Sequence, residues 1–165
     1  HNVPNQMFRM SDIGRPKAEA LREIVGVLCG DAADVVALSA FWNPGMPLSG
    51  IVVSGVDSMK TRRALWEQVR FNPDVPFYVD GRIGGEVLHV FAVRPAQVED
   101  VERYEQFLFP DEDAAELPCT ARAILYTGFS VAAVIAAVIK KWLKEESCPR
   151  WIALDMSTAS IIAQE

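Results

Sequence analysis

Apolar positions along this chain follow two spacings, one typical of helices and one typical of buried strands. Between Pro16 and Gly30 they recur three and four residues apart, which places them on one face of a helix. That face consists of Leu21, Ile24, Val25 and Leu28. Asp12 is predicted to be the N-cap, Pro16 fits the first turn, and Gly30 is predicted to end the helix.

Continuous apolar runs predict the first strands, at residues 34–40 and 50–56. The second run is rich in β-branched residues, as is typical of a parallel strand covered on both faces. The later elements are predicted as a helix at 58–70, strands at 77–79 and 86–93, a helix around Tyr104, a long apolar helix ending near 146, and strands at 151–155 and 160–163. This order predicts one α/β domain over residues 1–165, with helices on both faces of a sheet that ends in antiparallel strands.

Composition and charge argue against several functional classes for this protein. Half of the 165 residues are apolar and the net charge is −6, which argues against a nucleic-acid partner, because such proteins present a basic face to phosphates. Three widely spaced cysteines and the lack of a Cys-x-x-Cys motif predict a reducing, cytoplasmic location and no structural zinc. No signal-peptide pattern is visible. The apolar residues 123–139 are at the short limit for a membrane span, so a buried core or interface helix is favoured and no membrane partner is expected.

Asp57 stands out by its position alone. Ligands of α/β sheets lie outside the carboxyl ends of the parallel strands, and Asp57 directly follows such a predicted strand. A carboxylate there is suited to a Mg²⁺ ion carried by a nucleotide, because hard cations take oxygen ligands. An N-cap of the following helix explains the same residue equally well.

Several short segments, in a fixed order, resemble a known family. Residues 1–6, His-Asn-Val-Pro-Asn-Gln, are similar to its Asn-Leu-x-Arg-Gln motif, and residues 14–18, Gly-Arg-Pro-Lys-Ala, match its Gly-x-x-Lys-Ala motif. An apolar strand ending in Asp57, followed by Arg62, and the later Pro-Cys-Thr-x-Arg at 118–122 continue the order. Over nearly its whole length the chain resembles the ThiF/MoeB-type adenylyltransferases, which are relatives of ubiquitin-activating enzymes. The resemblance implies a Rossmann-like, mostly parallel sheet.

The resemblance also implies roles for individual residues. Asp57 is the metal-linked adenylation residue and Arg62 the accompanying catalytic arginine, although Ser58 stands where the family often has Asn. Lys17 contacts the ATP phosphates, whereas on spacing alone it is a solvated lysine at a helix start. Asn2 and Gln6 position the nucleotide.

Arg82 and Cys119 each have an alternative explanation. Asn5 stands where the family has a phosphate-contacting arginine, and Asn cannot supply that charge. Arg82, in the glycine-rich stretch 81–85, is the candidate replacement, although a simple hairpin is the favoured explanation of these glycines. Cys119 precedes the long helix and lies near Arg122, a setting that stabilises a thiolate nucleophile, whereas most free cysteines are small buried hydrophobes.

The function implied by the resemblance is ATP- and Mg²⁺-dependent adenylation of the C-terminal carboxylate of a ubiquitin-like or sulfur-carrier protein, followed by thioester formation on Cys119. A homodimer is also implied. The alternatives are a non-catalytic binding or scaffold protein of the same fold and, less favoured, an unrelated nucleotide-binding enzyme. The family's glycine-rich nucleotide loop is not present in these 165 residues. The domain is therefore expected to lack its N-terminal nucleotide-binding unit, and these residues alone are expected to bind ATP poorly.

Overall fold

A computed structural model describes residues 6–110 and 124–165. It divides the chain into two compact units, His1–Asn43 and Pro44–Glu165. In the first unit, helix α1 spans Lys17–Cys29 and lies between two short 3-10 turns. Gly30 ends α1 with a φ of +54°, as predicted. Leu21 and Leu28, on the predicted apolar face, are exposed.

Two predictions for the first unit are wrong. The N-cap of α1 is Pro16, not Asp12, because the helix begins at Lys17, five residues beyond Asp12. The Asp12 carboxylate instead accepts hydrogen bonds from the Arg9 backbone N–H and from the Arg9 and Arg15 guanidinium groups. Residues 34–40 form no strand in the described backbone. An apolar run becomes a strand only where a second backbone completes its hydrogen bonds.

The second unit alternates strands and helices before it ends in strands. Its elements are β1 (Ile51–Ser54), α2 (Met59–Val69), β2 (Phe77–Gly84), β3 (Val87–Val93), α3 (Val98–Glu105), α4 (Leu125–Leu143), β4 (Trp151–Asp155) and β5 (Ser160–Gln164). The predicted strand at 77–79 continues to Gly84, so the glycine-rich stretch lies mostly within β2. The sequence thus predicted the presence of these elements better than their ends.

The sheet is mixed rather than mostly parallel among the strands that the structure describes. Its order is β1-β2-β3-β4-β5; β1 and β2 are parallel, and each later pair is antiparallel. Parallel pairing needs a crossover, which α2 supplies between β1 and β2. The tight turn between Gly84 and Val87, where Gly85 has a φ of +63°, forces β3 to return antiparallel. The predicted antiparallel C-terminal part is confirmed.

Strand β2 has two chemically different faces, and helices cover both. Phe77 and Val79 lie in the apolar cluster that packs against α4, together with Val90 of β3 and Val138 of α4. The intervening residues of β2 lie on the opposite face, where side chains of α2 and α3 contact them. Side chains alternate along a strand, so this one segment supplies an apolar surface and a polar one.

Helix α4 packs on the sheet with one face only. Phe77 stacks on Trp142 with ring centroids 5.0 Å apart, whereas Leu125, Phe129 and Leu143 are exposed. Within the described residues, α4 is the one helix long and apolar enough to cross a membrane by length and composition. Its packing on β2 and β3 agrees with the predicted core helix along that face.

Candidate functional site

Asp57 lies at the exit of β1, in the short turn before α2. Its side chain is exposed. The N-cap of α2 is Ser58, whose hydroxyl accepts a hydrogen bond from the Thr61 backbone N–H at 3.1 Å. The explanation of Asp57 as the helix cap is therefore wrong, because the next residue already fills that position. This leaves an exposed carboxylate beyond the carboxyl end of β1, where α/β sheets bind ligands.

Arg62 lies one turn into α2 and is almost fully buried. Its Nε donates to Oδ1 of Asp80 at 3.0 Å, and its Nη2 donates to the carbonyl oxygen of Val56. Its Nη1 lies 3.6 Å from the sulfur of Met59. The guanidinium thus contacts protein groups through all three nitrogens, and its charge is paired with Asp80. The resemblance placed Arg62 beside Asp57 in sequence; in space it holds the backbone that precedes Asp57.

Asp80 is the centre of this polar cluster, and the sequence analysis did not single it out. It has no exposed surface, and its Oδ2 accepts hydrogen bonds from Arg82 Nε at 2.7 Å and from the Tyr104 hydroxyl at 2.9 Å. A buried carboxylate persists only where such donors compensate its lost hydration. One local signal pointed to Asp80: it is a charged residue directly after the apolar run 77–79, where alternation turns it away from the α4 core.

The cluster contains two guanidinium groups and one carboxylate, so its formal charge is +1. Arg82 reaches further than Arg62: its Nη1 donates to the Phe107 carbonyl oxygen at 2.8 Å, and its guanidinium carbon lies 4.4 Å from the centre of the Phe91 ring. Arg82 Nη2 is buried and meets no acceptor among the described residues. The ring face partly offsets the excess positive charge, because aromatic faces attract cations.

Two buried tyrosines complete the cluster as neutral donors. Burial raises the pKa of the Tyr104 hydroxyl, and the neighbouring Tyr78 and Asp80 act in the same direction. Burial likewise raises the pKa of Tyr78, whose hydroxyl lies 3.3 Å from that of Tyr104. Both hydroxyls therefore keep their protons at neutral pH. Tyr104 can serve Asp80 only as a hydrogen-bond donor and is not a candidate base.

The other predicted site residues are distributed over the chain. β2 and β3 form the expected hairpin, but its turn lies at residues 85–86, so Gly81 and Gly84 belong to β2 and not to a turn. Arg82 lies on the same strand and belongs to the Asp80 cluster. Lys17 is the exposed first residue of α1. The Gln6 amide oxygen is buried and accepts no hydrogen bond from the described residues. Asn2 and Cys119 lie outside the described residues.

The exit of β1 offers a metal ion one exposed carboxylate, that of Asp57. Among residues 6–110 and 124–165, no three His, Cys, Asp or Glu side chains are grouped closely enough to hold a metal ion. Mg²⁺ in nucleotide sites keeps several waters and binds one or two carboxylates plus the substrate phosphates. A single exposed carboxylate at the exit of β1 meets that requirement.

Comparison with solved structures identifies the fold. The chain is similar to E. coli MccB in crystals with succinimide, with a TM-score of 0.70 and 15% identity, over 96% of this chain and 50% of MccB. E. coli MccB in crystals with AMPCPP and selenomethionine MccA gives a TM-score of 0.69 at 15% identity, over 96% of this chain and 50% of that one. Selenomethionine PaaA gives 0.64 at 12% identity, over 99% of this chain and 60% of PaaA.

These likenesses show a shared α/β fold, and the chain spans about half the length of the MccB chains. No protein-family model matches the sequence, and no curated protein sequence matches it significantly.

Proposed function

We propose that this chain is part of an ATP-dependent adenylating enzyme that activates the C-terminal carboxylate of a ubiquitin-like or sulfur-carrier protein. The observation that carries the proposal is the fold shared with MccB, a protein crystallised with the ATP analogue AMPCPP and with MccA. The exposed Asp57 adds to it, because its position beyond β1 is that of a ligand-binding residue and not that of a helix cap.

The proposed chemistry has two steps. A carboxylate oxygen of the partner attacks the α-phosphorus of ATP, an O–P bond forms, and the bond to pyrophosphate breaks. In the second step the Cys119 thiolate attacks the acyl carbon, a C–S bond forms, and AMP leaves. Each step exchanges one bond for another, so no oxidant or reductant is needed.

The residues of this chain would bind and orient the nucleotide. Asp57 would hold the Mg²⁺ of the bound ATP, and that ion would neutralise phosphate charge. Lys17 would act as a point charge on the phosphates from the start of α1. Asn2 and Gln6 would contact the nucleotide. Arg82 would supply positive charge in place of the arginine that Asn5 replaces. A cytoplasmic homodimer is part of the same proposal.

One observation favours the alternative, a binding or scaffold protein of this fold. Arg62 and Arg82 are both paired with Asp80, and Asn5 stands where the related family has an arginine. If the arginines serve only this buried network, little positive charge is left for a developing phosphate charge. A fold that keeps its structure without catalysing adenylation would show this arrangement.

ATP–pyrophosphate exchange separates the two functions. The full-length protein is incubated with ATP, Mg²⁺, labelled pyrophosphate and a candidate ubiquitin-like partner, either with a free or with an amidated C-terminus. We expect exchange only with the free carboxylate and a loss of at least about 100-fold in Asp57→Asn. Asp74 is another exposed aspartate, in the loop before β2, so Asp74→Asn is the matched control and should keep the wild-type rate.

The absence of exchange by the wild-type protein with every tested partner would refute the adenylation proposal and favour the scaffold. Thioester formation is tested separately with Cys119→Ala. If that variant still forms a thioester with the partner, the nucleophile assignment is wrong while the adenylation proposal stands.

A further inference from the structure

The buried Asp80–Arg62 pair is connected to the turn that carries Asp57. Arg62 Nε donates to Asp80, while Nη2 of the same guanidinium donates to the carbonyl oxygen of Val56, the residue immediately before Asp57. Ser58, the residue immediately after, is fixed as the cap of α2. The backbone is therefore held on both sides of Asp57, although the Asp57 side chain itself is exposed.

We propose that Asp80 is a positioning residue for Asp57: through Arg62 it fixes the backbone at the exit of β1 and so orients the carboxylate that receives the metal of bound ATP. The proposal rests on the adenylation function proposed above, because that function gives Asp57 its task. It also assigns Arg62 a role different from the one the family resemblance implied. Arg62 acts on the protein backbone and not on phosphate.

The geometry of the guanidinium makes this role specific to arginine. Nε and Nη2 lie at different corners of one rigid plane, so a single side chain connects a carboxylate on β2 with a carbonyl on the β1–α2 turn. Lysine carries the same charge on one nitrogen and cannot hold both acceptors in a fixed relation. Arg62→Lys therefore removes the bridge while it keeps a positive charge.

The burial of Asp80 also favours positioning over simple stabilisation. Buried ion pairs add little net stability compared with apolar side chains of similar volume, because both ions lose their hydration. Asp80 nevertheless collects donors from α2, β2 and α3, through Arg62, Arg82 and Tyr104. A shared acceptor of this kind fixes the mutual orientation of three elements, and one of them leads directly to Asp57.

The first measurement is amide hydrogen exchange of the full-length protein without nucleotide. In Asp80→Asn and in Arg62→Lys, we expect the amides of residues 55–58 to exchange about tenfold faster than in the wild type. The second measurement is the Mg²⁺ dependence of ATP–pyrophosphate exchange. Loss of residues that orient a metal ligand weakens metal affinity about 10- to 100-fold, so half-saturating Mg²⁺ should rise at least about tenfold. The rate at saturating Mg²⁺ should change much less.

Asp100→Asn is the matched control. Asp100 is also a buried carboxylate, and it accepts two guanidinium hydrogen bonds from Arg94, at 2.7 and 2.9 Å. Its pair joins α3 to the end of β3 and makes no contact with Asp57 in the structure. We expect this variant to be destabilised while residues 55–58 and the Mg²⁺ dependence stay as in the wild type.

Three results would overturn the positioning role: wild-type amide exchange at 55–58 in Asp80→Asn, a wild-type Mg²⁺ dependence in Arg62→Lys, or an equal shift in Asp100→Asn. If the wild-type protein catalyses no pyrophosphate exchange, the proposed function fails instead. Amide exchange then still tests the structural part of the proposal: faster exchange at 55–58 in both variants shows that the Asp80–Arg62 pair holds the backbone around Asp57, and unchanged exchange refutes that.

Discussion

Gly81 allows α4 to approach β2 closely, and replacing it by alanine tests that contact. A Cβ at Gly81 would lie 2.8 Å from Cδ1 of Ile135 and 3.2 Å from Cγ2 of Val131. Carbon atoms in favourable contact are about 3.5–4.0 Å apart, so the Ile135 methyl group must move by roughly 0.7 Å or more. Gly81→Ala therefore adds volume where the interface has no space for it.

The expected free-energy change follows from two opposing effects. Overpacking of a core costs about 1–3 kcal/mol, and the lower end applies because the nearest atom is the end of a flexible side chain. The smaller conformational freedom of alanine in the unfolded chain returns about 0.4–1 kcal/mol. We expect Gly81→Ala to lower the free energy of unfolding by at most about 0.6 kcal/mol in urea denaturation followed by circular dichroism, because the two effects largely cancel.

A double variant identifies the contact. Ile135→Val removes the methyl group that Gly81→Ala would meet, and alone it should cost about 0.5–1.5 kcal/mol. In the double variant the two losses should fall short of their sum by about 1 kcal/mol, since the clash is absent. Additivity within about 0.3 kcal/mol would refute the reasoning. Gly128→Ala in α4 is the control: its Cβ would meet nothing within 4 Å, so it should stabilise the helix by up to about 1 kcal/mol.

Three further outcomes are expected. Ser58→Ala should lower the free energy of unfolding by about 1 kcal/mol through loss of the α2 cap, whereas Asp57→Ala should change it by less than about 0.5 kcal/mol in the same urea titration. Tyr104→Phe leaves Asp80 without one donor and should cost about 1.5–3 kcal/mol; an unchanged denaturation midpoint would contradict the contact. Burial, aided by the Arg82 charge, lowers the pKa of His89, so His89 binds a proton more readily in the unfolded chain than in the folded one. The free energy of unfolding should therefore fall as pH drops from 7 to 5, and His89→Gln should reduce this dependence on pH.

Local sequence patterns predicted the elements of this fold but not the partners of its polar groups. The i, i+3, i+4 spacing predicted α1, and a run rich in β-branched residues predicted β1, because those signals are contained within each segment. Residues 34–40 show the limit of such signals: an apolar run does not reveal whether a neighbouring backbone completes its hydrogen bonds. For the same reason the parallel character of the sheet was overestimated, since pairing depends on the connections between strands.

In the candidate site, too, the sequence predicted only what depends on neighbouring residues. The position of Asp57 beyond a buried strand was readable from the sequence, because strand ends in α/β folds have a known relation to ligands. Asp80 was not, because its importance depends on Arg62, 18 residues away, and on Tyr104, 24 residues away. Asp80 is followed by Gly81 and Arg82, which belong to the glycine-rich stretch that suggested a turn. Only the pairing of β2 with β3 shows that these residues form a strand with one polar face.

The apolar and polar faces of β2 limit where residues can be inserted into this chain. Inserting one residue after Tyr78 would turn Asp80 and Arg82 toward α4, because each step along a strand reverses the side chain. Inserting two would restore the face but move Asp80 about 7 Å along the sheet, beyond the reach of Arg62. The loop at residues 70–76 has no alternating faces to preserve, although Val75 within it is buried. Chains that share this fold and this cluster should therefore differ in length in that loop and keep the length of β2 constant.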